Sequence, residues 1–534
     1  MMKRIVSAKA VLVISIFLVA FSAKAQVLNG GTFKIGRMFG LIDAFYVDSV
    51  NTDQLTEKAI VEVLKNLDPH STYISAKDVK EMNEPLNGNF DGIGVQFNLL
   101  RDSIIIIETV PGGPSEKIGI RSGDRILTIN QEKVTGIKMT TAGVRSRLMG
   151  PKGTKVNITV FRKGEKDNLE FTIVRDKIPI YSLDASYMLD KETGYIKLNK
   201  FAATTDKEFS DAVDSLKKSN LKNIIIDLRG NGGGYMLAAT ALAEKFFPDQ
   251  KLLVYLQGRK TPRQDYKSAG KGSLSTARVV VLTDEGSASA SEIFAGALQD
   301  WDRGVIIGRR TFGKGLVQNG FYLIDGSMIR LTIARYYTPA NRSIQTSYTA
   351  GYDKYMESFY KRYTDGELVT ADSTHFPDSL KYKTLVNKRI VYGGGGLMPD
   401  VFVPVDTAFN TVYFRKLYAK NVLNTFTLEY YDKNRAKLKM DYKTFEDFKN
   451  KFQFDPDDIK AFIAKGEAEG VKYDDEQFKI SEEEIILILK GLVVTNMWKS
   501  SEYYEIINVN DKVLEKALKV INDKKSYNTI LGFQ

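Results

Sequence analysis

The run Val279-Val280-Val281-Leu282-Thr283 has the unbroken apolar character of a buried strand. It turns through the small residues Gly286-Ser287-Ala288-Ser289-Ala290 and leaves as a helical pattern, with Ile293, Phe294, Ala297 and Leu298 on one apolar face. A buried strand, a tight turn and a helix start present a serine at the mouth of a sheet beside free backbone N–H groups, a good setting for a nucleophile. The same residues also satisfy a plainer pattern, because Ser289-x-x-Glu292 is a capping box. The balance shifts with Arg310-Thr311-Phe312-Gly313-Lys314-Gly315-Leu316-Val317-Gln318, where one lysine stands between glycines in apolar surroundings. Desolvation lowers a lysine pKa and fits it for general-base work.

Composition narrows the chemistry. With no cysteine, the chain excludes a thiol nucleophile, thiolate metal sites, disulfides and lipidation at cysteine. With two histidines, His70 and His375, a three-histidine metal site is impossible, and a serine enzyme is directed toward a lysine base. No metal or cofactor is expected. The formal charge of +11 is spread among plentiful acids without a basic block, which reads as solubility and weak attraction to anionic surfaces, not nucleic-acid binding. Lys3 and Arg4, the apolar run 10–21 and Ala23-Lys24-Ala25 have the layout of a secretory signal over residues 1–25. Export, most simply to a bacterial periplasm, is the expectation.

Residues 26–90 read as a mostly helical region closed by Leu67-Asp68-Pro69-His70-Ser71, in which His70 is expected to fix the turn by hydrogen bonds. Residues 91–178 change to strands and glycine turns. Gly92-Ile93-Gly94-Val95-Gln96-Phe97 and Gly123-Asp124-Arg125-Ile126-Leu127 resemble a PDZ domain, which implies a carboxylate-binding loop at Gly92, Ile93, Gly94 and Val95 beside a strand edge that pairs with a peptide. Residues 179–408 carry an α/β pattern. Its buried strand Asn223–Leu228 runs into Arg229-Gly230-Asn231-Gly232-Gly233-Gly234, glycines suited to an anion hole, while no Gly-Lys-Ser/Thr follows to make a phosphate loop. Within this region 346–392 reads as a charged, aromatic-rich surface excursion, and residues 409–534 read as a C-terminal helical domain that assists assembly or shields the site.

Taken together, Gly-Tyr-Ile at 194–196, Asp-Leu-Arg-Gly-Asn-Gly-Gly-Gly at 227–234, Gly-Ser-Ala-Ser-Ala-Ser-Glu at 286–292 and Thr-Phe-Gly-Lys-Gly-Leu-Val-Gln at 311–318 resemble the carboxyl-terminal processing peptidases, or tail-specific proteases. The likeness runs over about residues 35–345 and returns at Gly395–Asp400. It implies a multidomain α/β fold: a crotonase/Clp-protease-like core with an inserted PDZ domain, an N-terminal helical segment and a C-terminal helical domain. Residues alone leave Ser287, Ser289 and Ser291 open; the resemblance selects Ser289 as nucleophile, Lys314 as base and Gln318 as the group orienting it. It places the oxyanion donors at the N–H groups of Ala290 and Gly233. One departure is Met149, where the family often has arginine, so that Arg145 or Arg147 would have to substitute.

The expected activity is an exported serine endopeptidase cutting polypeptides with apolar carboxyl termini near that end. An adaptor or activator protein, a homo-oligomer and peripheral membrane association stay open. A catalytically inactive peptide-binding scaffold or chaperone, and a crotonase-type acyl-CoA enzyme, are the competing readings.

Overall fold

The computed structural model describes residues 30–533 except 101, 249, 271 and 375. The signal reading at 1–25 and His375 lie outside the described residues. Residues up to Leu67 and residues from Asp68 onward form two compact units. In the first, helix Gly30–Phe45 buries none of its side chains, and helix Thr52–Lys65 is capped by Asn51, whose side chain accepts the Gln54 N–H at 3.0 Å.

The second unit is built on a six-stranded sheet in the order Leu183–Met188, Thr193–Leu198, Asn223–Asp227, Arg278–Thr283, Val305–Gly308, Val401–Phe402. The first pair is antiparallel and the rest are parallel, with Ile226 beside Val281 and Val281 beside Ile306. Successive side chains of a strand point to opposite faces, so an unbroken apolar run needs two covers. Ile224, Ile226, Val279, Val281 and Ile306 face helices Thr205–Lys218, Met236–Glu244 and Ala290–Asp300. Tyr195, Ile225, Val280, Leu282 and Ile307 face Val513, Ala517, Val520, Ile521 and Tyr527 of helices Lys512–Asn522 and Lys524–Ile530. The end of the segment read as a C-terminal helical domain is thus the second cover of the core sheet.

A second sheet lies at the site. Its long strand Met328–Tyr337 pairs with Leu316–Tyr322 along most of its length, with Thr72–Ile74 at one end and with Leu252–Gln257 at the other. Asp68 fastens the turn before Thr72. Its carboxylate accepts the His70 and Ser71 N–H groups, both at 2.8 Å, and the Thr332 hydroxyl at 3.0 Å.

The PDZ domain is inserted through a two-stranded neck, Asn89–Gly92 against Asp176–Pro179. Its strands Val95–Leu100, Ser103–Thr109, Arg125–Ile129, Lys155–Phe161 and Leu169–Val174 enclose Ile104, Ile106, Ile126, Val144, Ile158 and Ile173. Arg147 pairs with Glu132 at 2.7 Å inside this domain. Helices between Val412 and Ile507 form two further apolar clusters around Phe426, Phe462 and Ile485 and around Phe448, Phe452 and Val493. One of them, Val422–Asp441, meets the PDZ sheet, with Asp432 paired to Arg125 at 2.7 Å.

Candidate active site

The three serines of the turn have different fates. Ser287 is fully buried, and its hydroxyl donates to the Leu228 carbonyl at 2.8 Å and accepts the Asp284 N–H at 3.0 Å. Ser291 is also fully buried and donates to the Asn231 carbonyl at 2.9 Å. These two hydroxyls staple the turn to the glycine loop. Ser289 lines a cavity of about 650 Å³ that also takes in Gly233, Lys314, Gln318, Arg330 and Tyr336.

Ser289 starts helix Ala290–Asp300, yet its backbone is at φ 55°, ψ −111°. An N-cap normally sits in the extended region, and positive φ at a non-glycine residue costs roughly 1–3 kcal/mol. Two contacts hold it there: the Ser289 N–H donates to Glu292 Oε2 at 2.9 Å, and its carbonyl accepts the Tyr336 hydroxyl at 3.1 Å. The capping-box carboxylate of Glu292 does more than cap. It also accepts the Thr311 hydroxyl, the Gly313 N–H at 2.8 Å and the Lys314 N–H at 2.9 Å. Full burial pushes the Glu292 carboxyl up to about 7, against the pull of these hydrogen bonds. Tyr336 makes the same link, its hydroxyl reaching the Lys314 carbonyl at 2.6 Å.

Lys314 donates through Nζ to Gln318 Oε1 at 3.2 Å, and Gln318 in turn donates to the His70 carbonyl. Burial lowers the Lys314 pKa and nearby Arg330 lowers it further, opposed by Glu292 and Asp68. His70 is a brace. Its Nε2 bonds the Tyr355 hydroxyl at 2.9 Å, and burial, then Lys314, lowers its pKa to about 4, so it is neutral over the physiological range. Tyr355 belongs to helix Tyr352–Thr364, in the segment expected to be a surface excursion. That helix packs on the lysine loop instead, with Phe359 stacked on Phe312 at 4.3 Å and Arg362 donating to the Thr311 and Arg310 carbonyls at 3.0 and 2.7 Å.

Gly233 closes against the turn. At φ 100°, a Cβ on it would lie 2.8 Å from Ser289 Cβ and 2.9 Å from Ala290 N. Its N–H donates to Asn231 Oδ1 at 2.9 Å. Ala290 is the first helical residue, so its N–H has no acceptor within the helix. The PDZ residues Gly92, Ile93, Gly94 and Val95 lie outside the cavity. Gly92 ends the neck, Ile93 is buried in the PDZ core, Gly94 has φ 72°, and Val95 opens a strand at the edge of its sheet.

Of the residues singled out in the sequence, Ser289, Lys314, Gln318 and Gly233 line one cavity and Ala290 follows Ser289 at the start of the helix. The sequence shows only the capping role of Glu292 and does not signal the contacts of Tyr336 and Asn231 or the place of Arg330 in the cavity lining. The partners that tie Glu292 and Tyr336 into the site lie in distant segments, and no local pattern signals them.

Residues 192–351 match peptidase family S41, and residues 92–173 match the PDZ domain. Over 306 residues the chain is 36% identical to the carboxy-terminal processing protease CtpA of Bacillus subtilis, covering 57% of this chain and 65% of that protein. It is 35% identical over 320 residues to the carboxy-terminal-processing protease of Bartonella bacilliformis, covering 58% of this chain and 72% of the relative. The chain belongs to the carboxy-terminal processing proteases of peptidase family S41. A solved photosystem II D1 C-terminal processing protease is 28% identical, covering 60% of this chain and 91% of that one, with a TM-score of 0.34. The match spans less than two thirds of CtpA and, at 64%, of CtpB from the same Bacillus. Residues 413–499 of the chain match a family of unknown function and coincide with the helices around Phe426 and Phe448.

Proposed function

We propose that the chain is an exported serine endopeptidase that cuts polypeptides near their carboxyl terminus. The observation that carries this reading is the exposure of Ser289 alone among its neighbouring serines, on a strained turn, in one cavity with a desolvated Lys314 held by Gln318. Neutral Lys314 takes the proton of Ser289 Oγ as the oxygen attacks the scissile carbonyl carbon. The tetrahedral oxyanion is met by the Ala290 N–H and by the Gly233 N–H, which Asn231 must first release. The C–N bond breaks as Lys314 passes its proton to the leaving amine. Water, activated by the same lysine, then hydrolyses the ester and restores the serine.

The PDZ loop Gly92–Val95 holds the apolar tail of the substrate, and the edge of strand Val95–Leu100 pairs with its backbone. Lys3, Arg4, the apolar run 10–21 and Ala23–Ala25 support export to a periplasm.

The test is cleavage of an unfolded reporter ending in an apolar tail, beside the same reporter ending in two aspartates. The full chain is expected to cut the apolar-tailed reporter preferentially, and Ser289→Ala and Lys314→Ala are each expected to lose at least about a thousandfold in kcat/KM. Unchanged cleavage by either variant overturns the assignment. Binding of the tail without cleavage by the intact chain replaces the peptidase with a peptide-binding scaffold.

A further inference from the structure

The cavity that holds Ser289 has an unbalanced charge. Lys314 and Arg330 are the basic residues among those lining it, and no Asp or Glu is in that lining; the nearby acids Glu292 and Asp68, which act on Lys314, lie outside it. Lys314 is spoken for by Gln318. The Arg330 guanidinium has no hydrogen-bond or ion-pair partner among the described residues. Elsewhere in this unit, arginines of low exposure have partners: Arg229, Arg309, Arg342 and Arg389 pair with Asp227, Glu285, Asp300 and Asp302, and Arg175 and Arg303 donate to backbone carbonyls.

The strand register explains why Arg330 is left bare. It sits on Met328–Tyr337 with Gly320 directly opposite on the neighbouring strand and Thr72 on the other side. A cross-strand neighbour normally covers or pairs with such a side chain, and glycine offers nothing to do either. A partly buried guanidinium without an anion loses hydration and gains nothing in exchange, so a concave site built around one is matched to an incoming anion. The planar fork of arginine fits a carboxylate by two parallel hydrogen bonds.

We propose that Arg330 is a carboxylate receptor within the substrate cleft, so that the peptidase favours chains that place an acidic side chain or a free chain end at one position beside the scissile bond. This rests on the peptidase reading above and adds a selectivity at the cleft distinct from the apolar preference assigned to the PDZ loop.

The experiment uses the full chain and the apolar-tailed reporter, with its cut site mapped. Asp, Asn or Lys is then placed at each position near the cut, and short peptides are compared as free acid and as amide. At one position the wild-type chain is expected to cleave the Asp substrate about tenfold better than the Asn substrate in kcat/KM. That ratio should fall close to one in Arg330→Gln, persist in Arg330→Lys and invert in favour of Lys over Asp in Arg330→Glu. A preference confined to free acid over amide assigns the carboxylate to the chain end instead of a side chain. The proposal is overturned if no position shows a preference, or if the preference survives unchanged in Arg330→Gln. Should Arg330→Gln not fold, the Arg330→Lys and Arg330→Glu pair decides by the same ratio. If the wild-type chain cleaves nothing, the peptidase reading fails separately. Fluorescence anisotropy of labelled acidic and neutral peptides then reads Arg330: weaker binding of the acidic peptide alone in the variant keeps the receptor, and equal binding removes it.

Discussion

Glu292 decides whether the two halves of the site stay together. Its buried carboxylate accepts four donors, one from the serine turn and three from the lysine loop. Only the ionised form can accept all four without surrendering an oxygen to its own proton. Burial sets that ionisation near pH 7, while Lys314 must lose its proton to act as base. Both requirements are met as pH rises, so the acid limb of log kcat/KM against pH is expected to steepen toward a slope of two once pH falls below the values of both groups. In Glu292→Gln one titration is removed, and the limb should show a slope of one with a rate lower by about ten- to a hundredfold. Equal slopes in the two proteins would show that Glu292 does not titrate in the working range. Much of this was beyond local reading. Ser287, Ser289 and Ser291 share residue type and spacing, and what separates them is that two of their hydroxyls meet carbonyls of the distant loop at Leu228 and Asn231. Glu292 was legible as a cap because that contact is local, whereas its other donors come from Thr311–Lys314.

Among the elements, the glycine loop and the serine turn fit with no spare room. A Cβ on Gly233 would approach Ala288 O to 2.7 Å as well as Ser289 Cβ and Ala290 N, and these are not the ends of flexible side chains. Gly233→Ala must therefore distort the turn or the loop. A melting temperature lower by several degrees and a loss of at least about a hundredfold in kcat/KM are expected. Gly232 is the control for folding, since a Cβ there meets nothing within 4 Å, and Gly232→Ala should change stability by less than about 0.5 kcal/mol. Comparable destabilisation of both variants in thermal melts would sink the argument from close approach. The strands and helices on either side of this junction were legible from periodicity, because each buries a regular stripe. The segment 346–392 reads as a surface excursion because it is charged and aromatic-rich; the partners that cover its Tyr355, Phe359 and Arg362, namely His70, Phe312 and the carbonyls of Arg310 and Thr311, lie elsewhere in the chain.

For the whole molecule the decisive fact is that the sheet takes one of its two covers from the last helices. Helical periodicity runs on from the preceding helices, so the sequence has no mark where they stop packing on each other and the chain returns to the core. The return is fixed at Asp511, which caps helix Lys512–Asn522 through the Val513 and Leu514 N–H groups and pairs with Arg229 at 2.7 Å, just before the glycine loop. Beyond it, Val513, Leu514, Val520, Ile521 and Leu531 are buried against the sheet. Each such side chain contributes about 1.5–3 kcal/mol by burial, and together they rival the roughly 5–15 kcal/mol that separates a typical folded domain from its unfolded chain. By contrast the Arg125–Asp432 pair, which joins the PDZ domain to helix Val422–Asp441, is partly exposed on both sides and is worth at most about 1 kcal/mol. Truncation after Asn510 is therefore expected to give an insoluble chain without a cooperative thermal transition, even though the catalytic and PDZ segments are intact. Arg125→Ala with Asp432→Ala should melt within a few degrees of wild type. Soluble expression and a cooperative melt of the truncated chain would mean that the other cover alone sustains the sheet.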